Sequence, residues 1–233
     1  MTASQARPRF ATVVLDVDST VSGIEGIDWL ARRRGDIVAR KIASLTDEAM
    51  RGVIPLEKVY GARLEAICPG REDVAALSRA YLDALSPGCA DAITSLRGAG
   101  VRVILVSGGL RYALLPLALD LGFEPSDLHA VDITFDSAGA YAGFDRSSPL
   151  TTSDGKATLI AGLPLPRPIL MVGDGATDLA TRGHVDSFAA FTGFASREDV
   201  VREADLVIGS FAELTRVVFG GGAEAPAPQT GKH

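Results

Sequence analysis

The chain has 233 residues, 47% of them apolar, and carries 23 Lys and Arg against 29 Asp and Glu for a net charge of −6. A chain this long and this apolar can bury a full core, as one large domain or two small ones, which excludes a largely disordered protein. Its mild acidity excludes the electrostatic footprint of a general nucleic-acid binder and a polybasic membrane patch.

The first ten residues contain no apolar run that reads as a secretory signal, and no later run approaches the roughly 18 residues of a membrane span. The first strong segment, residues 10–16, is a short β-branched run ending in a carboxylate, which is how a buried parallel strand reads. Residues 23–85 read differently, as four helices in a row (24–33, 37–50, 55–67 and 71–85) with no strand among them. An all-helical insert between two strands predicts a small second domain, or cap. The two cysteines, Cys68 and Cys89, are too few for a disulfide framework and predict free thiols in a reducing compartment, the cytoplasm.

Beyond the insert, helix-period stretches at 88–99, 110–121, 155–161, 177–183, 196–204 and 211–219 alternate with apolar runs. Those runs are 101–107, 168–174, the weaker 205–209 and a further candidate at 186–191. Strands alternating with helices predict an α/β, Rossmann-like three-layer core with a mainly parallel sheet. Residues 131–144 alternate and turn at 136–139, which predicts a β-hairpin. The catalytic core is therefore expected over 10–22 and 86–219, the helical cap over 23–85, and a low-complexity, disordered tail over 220–233.

In such sheets ligands sit outside the carboxyl ends of the strands. Three strand ends carry polar or Gly-rich clusters: Asp16-Val-Asp18-Ser-Thr20, Ser107-Gly108-Gly109 and Gly173-Asp174-Gly-Ala-Thr177-Asp178. A lone strand-end Asp can cap a helix, serve as a nucleophile or ligate a cation. Here Asp174 can complete a hard-cation site with Asp16. Ser107 and the amides after it, read as opening a helix, can cradle a phosphate at its positive end. Lys156 follows Ser-Asp-Gly and can point into the same pocket. Carboxylates around Mg²⁺, with a Ser, amides and a Lys on an anion, point to phosphoryl transfer. There is no GxxxxGK[ST] loop, so a P-loop nucleotide enzyme is excluded. The carboxylates are left as the nucleophile candidates.

These four motifs in this order resemble the haloacid dehalogenase-like superfamily. The resemblance implies that Asp16 is the nucleophile and Asp18 the general acid, then base. It implies Mg²⁺ held by Asp16, the Asp18 backbone carbonyl and Asp174, and phosphate held by Ser107 and Gly108. Lys156 would neutralise the crowded charge, and Asp178 would position Lys156 or the metal shell. Asp16, beside two cations, is expected to stay ionised, and Asp18 to have a raised pKa.

Glu25-Gly-Ile-Asp28, Thr46 to Gly52, Pro55-Leu56, Arg63-Leu64 and residues 140–145 are similar to the phosphoserine phosphatase family in particular. That similarity implies Glu25 on the substrate ammonium, Arg63 gripping its carboxylate as a fork, and Met50 over the short carbon chain. Thr177, where many relatives have Asn, would contact phosphate or a water. Leu56 and Leu110 stand where aromatics are common. The implied activity is hydrolysis of O-phospho-L-serine, a small-molecule phosphomonoester, by a monomer or homodimer with no nucleic-acid or membrane partner. Another phosphomonoester, such as phosphohomoserine or a phosphosugar, transfer to an alcohol, and a binding protein on this fold are the alternatives.

Overall fold

The computed structural model describes residues 7–220. Strand β1 (Thr12–Leu15) is followed by four helices: α1 (Gly26–Arg32), α2 (Asp36–Met50), α3 (Leu56–Ile67) and α4 (Arg71–Asp83). The chain continues through α5 (Cys89–Gly98), β2 (Arg102–Leu110), α6 (Arg111–Asp120) and β3 (Leu128–Val131). A hairpin of β4 (Ile133–Phe135) and β5 (Tyr141–Phe144) comes next. The last part runs α7 (Gly155–Gly162), β6 (Ile169–Gly173), α8 (Ala176–Leu179), β7 (Ser187–Phe191), α9 (Glu198–Glu203), β8 (Leu206–Ile208) and α10 (Phe211–Phe219).

Six strands form one sheet in the order β3-β2-β1-β6-β7-β8, and every pairing in it is parallel. β1 lies at its centre, and Val13, Val14 and Leu15 are fully buried. A strand covered on both faces must be apolar throughout, and each such side chain contributes about 1.5–3 kcal/mol of burial. The chain winds outward in both directions from β1, so its boundary with β6 is the topological switch point, where α/β sheets open a crevice. The carboxyl ends of β1 and β6 deliver Asp16 and Asp174 to that crevice. The expected α/β core with its mainly parallel sheet is thus present.

Two boundaries differ from the sequence reading. Residues 131–144 are not one hairpin. Leu128–Val131 joins the main sheet beside β2, and the antiparallel hairpin starts at Ile133. The segment 177–183 is α-helical only as far as Leu179, and Ala180–Gly183 tightens into a 3-10 turn. The tail expected to be disordered lies, beyond Gly220, outside the described residues.

The four helices after β1 pack on one another and close over the carboxyl end of the sheet. α4 also lies along α6. Arg71, at the start of α4, stands over the rings of Phe135 (4.8 Å) and Tyr112 (5.8 Å), and its N–H donates to Gly139 O (2.8 Å). These contacts tie the last of the four helices to the hairpin and to α6. Among the described residues, no helix is long and apolar enough to cross a membrane.

Candidate active site

A pocket opens over the carboxyl ends of β1, β2 and β6. Asp16, Asp18, Glu25, Met50, Arg63, Ser107, Gly108, Lys156, Asp174 and Thr177 all line it. The candidate catalytic, metal and substrate residues therefore meet in one place, with Asp178 bonded to Lys156 behind them; Leu110 is buried outside the lining.

The loop after β1 turns back on itself: Thr20 and Ser22 N–H donate to Val17 O, and Ser19 takes a left-handed φ of 53°. A non-glycine residue there is uncommon, and the turned loop leaves Asp16 and Asp18 lining the same pocket. Asp18 Oδ1 accepts the phenolic O–H of Tyr81 (2.6 Å), and Oδ2 accepts the N–H of Gly26 (3.1 Å).

Lys156 Nζ donates to Asp16 Oδ1 at 2.5 Å and to Asp178 Oδ1 at 2.6 Å. Gly155 makes this approach feasible. A Cβ there would lie 1.7 Å from Pro149 O, so only glycine lets α7 start against that turn. The remaining oxygen of Asp178 accepts Gly175 N–H (3.0 Å).

Ser107-Gly108-Gly109 precedes a helix as expected, but it belongs to β2, which runs three residues past the strand end expected at 107. β2 stays extended to Leu110 because Leu110 still pairs with Val131, and α6 begins only at Arg111. Ser107 Oγ accepts the N–H of Gly109 (2.9 Å), which leaves its own O–H to donate into the pocket. Gly108 O accepts the Tyr60 hydroxyl (2.7 Å).

Arg63 is 3% exposed and lies over the Tyr60 ring at 5.7 Å. One arm donates to Thr46 Oγ1 (2.7 Å), whose own O–H donates to Asp28 (2.6 Å). Its buried Nε has no hydrogen-bond partner, and no carboxylate among the described residues lies within ion-pair distance of it. Glu25 accepts Ser19 O–H (2.8 Å).

Arg197, which the sequence reading passed over, bridges the two sides of the site. It donates to a carboxylate oxygen of Asp174, and its other nitrogen lies 3.6 Å from Glu25. Tyr60 and Tyr81 were likewise missed. No spacing rule singles out Arg197, because Ser-Arg-Glu-Asp reads as a solvated helix start.

Burial dominates the electrostatics. It pushes the Asp16 carboxyl well above the usual range, Asp178 adds to the rise, and Lys156 opposes it. The ionisation expected of Asp16 is for a carboxyl beside both Lys156 and Mg²⁺; of these, Lys156 acts in that direction here. Asp18 is also raised by burial, against the bonds from Tyr81 and Gly26. Burial and then Asp18 push Glu25 up to about 7. Burial alone would lower Lys156, but Asp16 and Asp178 raise it, so it stays charged.

Asp16, Asp174 and Asp178 offer carboxylate oxygens within 4.8 Å of one another, all three residues being buried. An all-oxygen, all-anionic set fits a hard cation. The sequence model of the haloacid dehalogenase-like hydrolases matches residues 13–181, which hold all four motifs. The chain is 37% identical over 205 residues to the phosphoserine phosphatase of Bos taurus, covering 87% of this chain and 90% of that protein. The chain belongs to the haloacid dehalogenase-like hydrolases, in the phosphoserine phosphatase family. It is similarly 37% identical over 211 residues to the chloroplastic phosphoserine phosphatase of Arabidopsis thaliana, covering 87% and 70% of the two chains. The fold is shared with a phosphoserine phosphohydrolase-like protein of Francisella tularensis (TM-score 0.78, 24% identity, 88% and 98% covered). The protein is thus a phosphatase of small phosphomonoesters, in a family that uses a metal ion.

Proposed function

We propose that this phosphatase hydrolyses O-phospho-L-serine to L-serine and phosphate with Mg²⁺, through a phosphoryl group carried on Asp16. The observation that carries the substrate is Arg63. A buried guanidinium normally has an anionic partner. This one makes no direct ion pair, reaching Asp28 only through Thr46, and it lines the pocket of the proposed phosphate-binding groups. A substrate carboxylate supplies the missing partner as a bidentate fork. Glu25 then takes the substrate ammonium, and Met50 covers the carbon chain between them.

In the first step an Asp16 carboxylate oxygen forms a bond to phosphorus as the ester P–O bond breaks. Asp18 gives its proton to the leaving serine oxygen. In the second step Asp18 takes a proton from water, whose oxygen displaces Asp16 from phosphorus and releases inorganic phosphate. Ser107, the Gly108 amide, Thr177 and Lys156 bind the phosphoryl oxygens, and Asp178 holds Lys156 in place.

Asp16, Asp174 and the backbone carbonyl of Asp18 would hold Mg²⁺, with Asp178 adjoining. The ion would supply charge that favours ionised Asp16 and the crowded phosphoryl oxygens. The buried, all-carboxylate donor set of Asp16, Asp174 and Asp178 supports a hard divalent ion.

Residues 10–22 and 86–219 act as the catalytic core and 23–85 as a cap that excludes bulk water during transfer. The free thiols of Cys68 and Cys89 support a reducing, cytoplasmic setting.

The test is phosphate release from a panel of small phosphomonoesters, with Mg²⁺ and with EDTA. O-phospho-L-serine is expected to lead by about tenfold or more, the equivalent of one well-made recognition contact, and EDTA to stop the reaction. A phosphosugar or phosphohomoserine in the lead would overturn the substrate assignment.

A further inference from the structure

Tyr81 lies in the last turn of α4 and is wholly buried, yet its hydroxyl reaches into the chemistry of a different element. It donates to Asp18 Oδ1 at 2.6 Å, while the N–H of Gly26, the first residue of α1, donates to Oδ2 at 3.1 Å. The two ends of the helical insert therefore each grip one oxygen of the same carboxyl group. The fit is close: a Cβ on Gly26 would lie 2.0 Å from the Tyr81 hydroxyl oxygen, and one on Gly109 would lie 3.3 Å from it. The space that admits the phenol oxygen is left by these two glycines.

We propose that Tyr81 is a positioning residue for the proposed general acid: its O–H, with the Gly26 amide, aims the Asp18 carboxyl at the leaving oxygen. The inference rests on the reading of Asp18 as that acid. Three physical points support it. Both donors favour the carboxylate that remains once Asp18 has given up its proton, so their bonds strengthen as the ester bond breaks. Each carboxyl oxygen keeps a second lone pair, so one donor apiece leaves a place for the proton in transit. The phenol is wholly buried and already donates to Asp18 Oδ1, so no reorientation is needed as the ester bond breaks.

A purely structural phenol and a positioning phenol differ in what their removal does to different leaving groups. Serine leaves as an alkoxide and needs a proton at the moment of bond breaking. p-Nitrophenolate leaves without one. The experiment is rapid-quench measurement of the first turnover of the Mg²⁺-loaded full chain, following serine or nitrophenol release, for wild type, Tyr81→Phe and Asp18→Asn. Tyr81→Phe is expected to slow the serine burst by about 10- to 100-fold, the scale of a misaimed catalytic proton, and to leave the nitrophenol burst within about twofold. Asp18→Asn is expected to show the same split, larger. Equal slowing of both esters by Tyr81→Phe, or slowing of neither, overturns the positioning role while Asp18→Asn upholds the acid. If Asp18→Asn shows no split, the acid assignment fails and the inference falls with it. Gly26→Ala pushes the phenol aside without removing it, and decides the matter in the same way should Tyr81→Phe not fold.

Discussion

Replacing Lys156 by Met tests whether the buried charges at the strand ends hold one another in place. Lys156 Nζ lies 2.5 Å from Asp16 and 2.6 Å from Asp178, and the three side chains are only 6%, 7% and 1% exposed. An exposed pair contributes about 0–1 kcal/mol. Removing one member of a buried pair instead costs about 3–5 kcal/mol, because the remaining charge is left dehydrated and unpaired. Methionine keeps most of the stem volume, so cavity formation adds little. Urea unfolding in EDTA at pH 8 is therefore expected to show a loss of about 3–5 kcal/mol. The loss must shrink at pH 5. Without Lys156 the Asp16 carboxyl rises further, so the folded variant binds a proton that the unfolded chain, with an ordinary Asp pKa of about 3.9, does not. Where the native state binds more protons, stability rises as pH falls. The double variant Lys156→Met/Asp178→Asn, which removes one of the two stranded carboxylates, should recover about half of the loss. A difference under about 1 kcal/mol at pH 8, or one of equal size at pH 5, would refute the charge argument.

Arg63→Ala is expected to raise KM for O-phospho-L-serine by roughly 10- to 100-fold, the worth of a charge-assisted bond, and to leave KM for p-nitrophenyl phosphate nearly unchanged. Steady-state kinetics with both esters checks it, and an equal rise for the two would remove Arg63 from carboxylate recognition. Glu25 is raised from 4.5 to about 7. Between those values the folded state holds a proton that the unfolded state has lost, so this group's contribution to stability falls as pH rises through that window. The melting temperature of Glu25→Gln in EDTA should gain on that of wild type from pH 5 to pH 7.5, and a constant difference would show that Glu25 does not titrate there.

Legibility followed the range of the forces involved. The runs that became β1, β2, β6 and β7 were readable because a strand buried on both faces must be apolar throughout. The Asp16 and Asp174 motifs were readable because the end of such a strand has one exit, toward the crevice. The strand end at Ser107-Gly108-Gly109 was placed too early because glycines carry almost no preference of their own. What keeps them extended is the pairing of Leu110 with Val131, which is not local. β3 was missed for the same reason: only His129 and Ala130 lie between its buried ends, and its partner decides its state.

The residues missed at the site share a different cause. Tyr60 and Tyr81 are aromatic residues on amphipathic helices, and that pattern reads as core. The reading is correct for their rings, which are buried. It says nothing of the hydroxyl, and a buried hydroxyl must find an acceptor. For Tyr60 the acceptor is Gly108 O, and for Tyr81 it is Asp18. Both acceptors lie at strand ends of the sheet, and both donors lie on the helical insert. The insert thus reaches Asp18, the proposed general acid, and Gly108, in the proposed phosphate-binding segment, through the polar tips of its own core residues. Packing that buries these rings also sets the positions of Asp18 and Gly108, so a substitution that loosens α3 or α4 should disturb chemistry before it unfolds the chain.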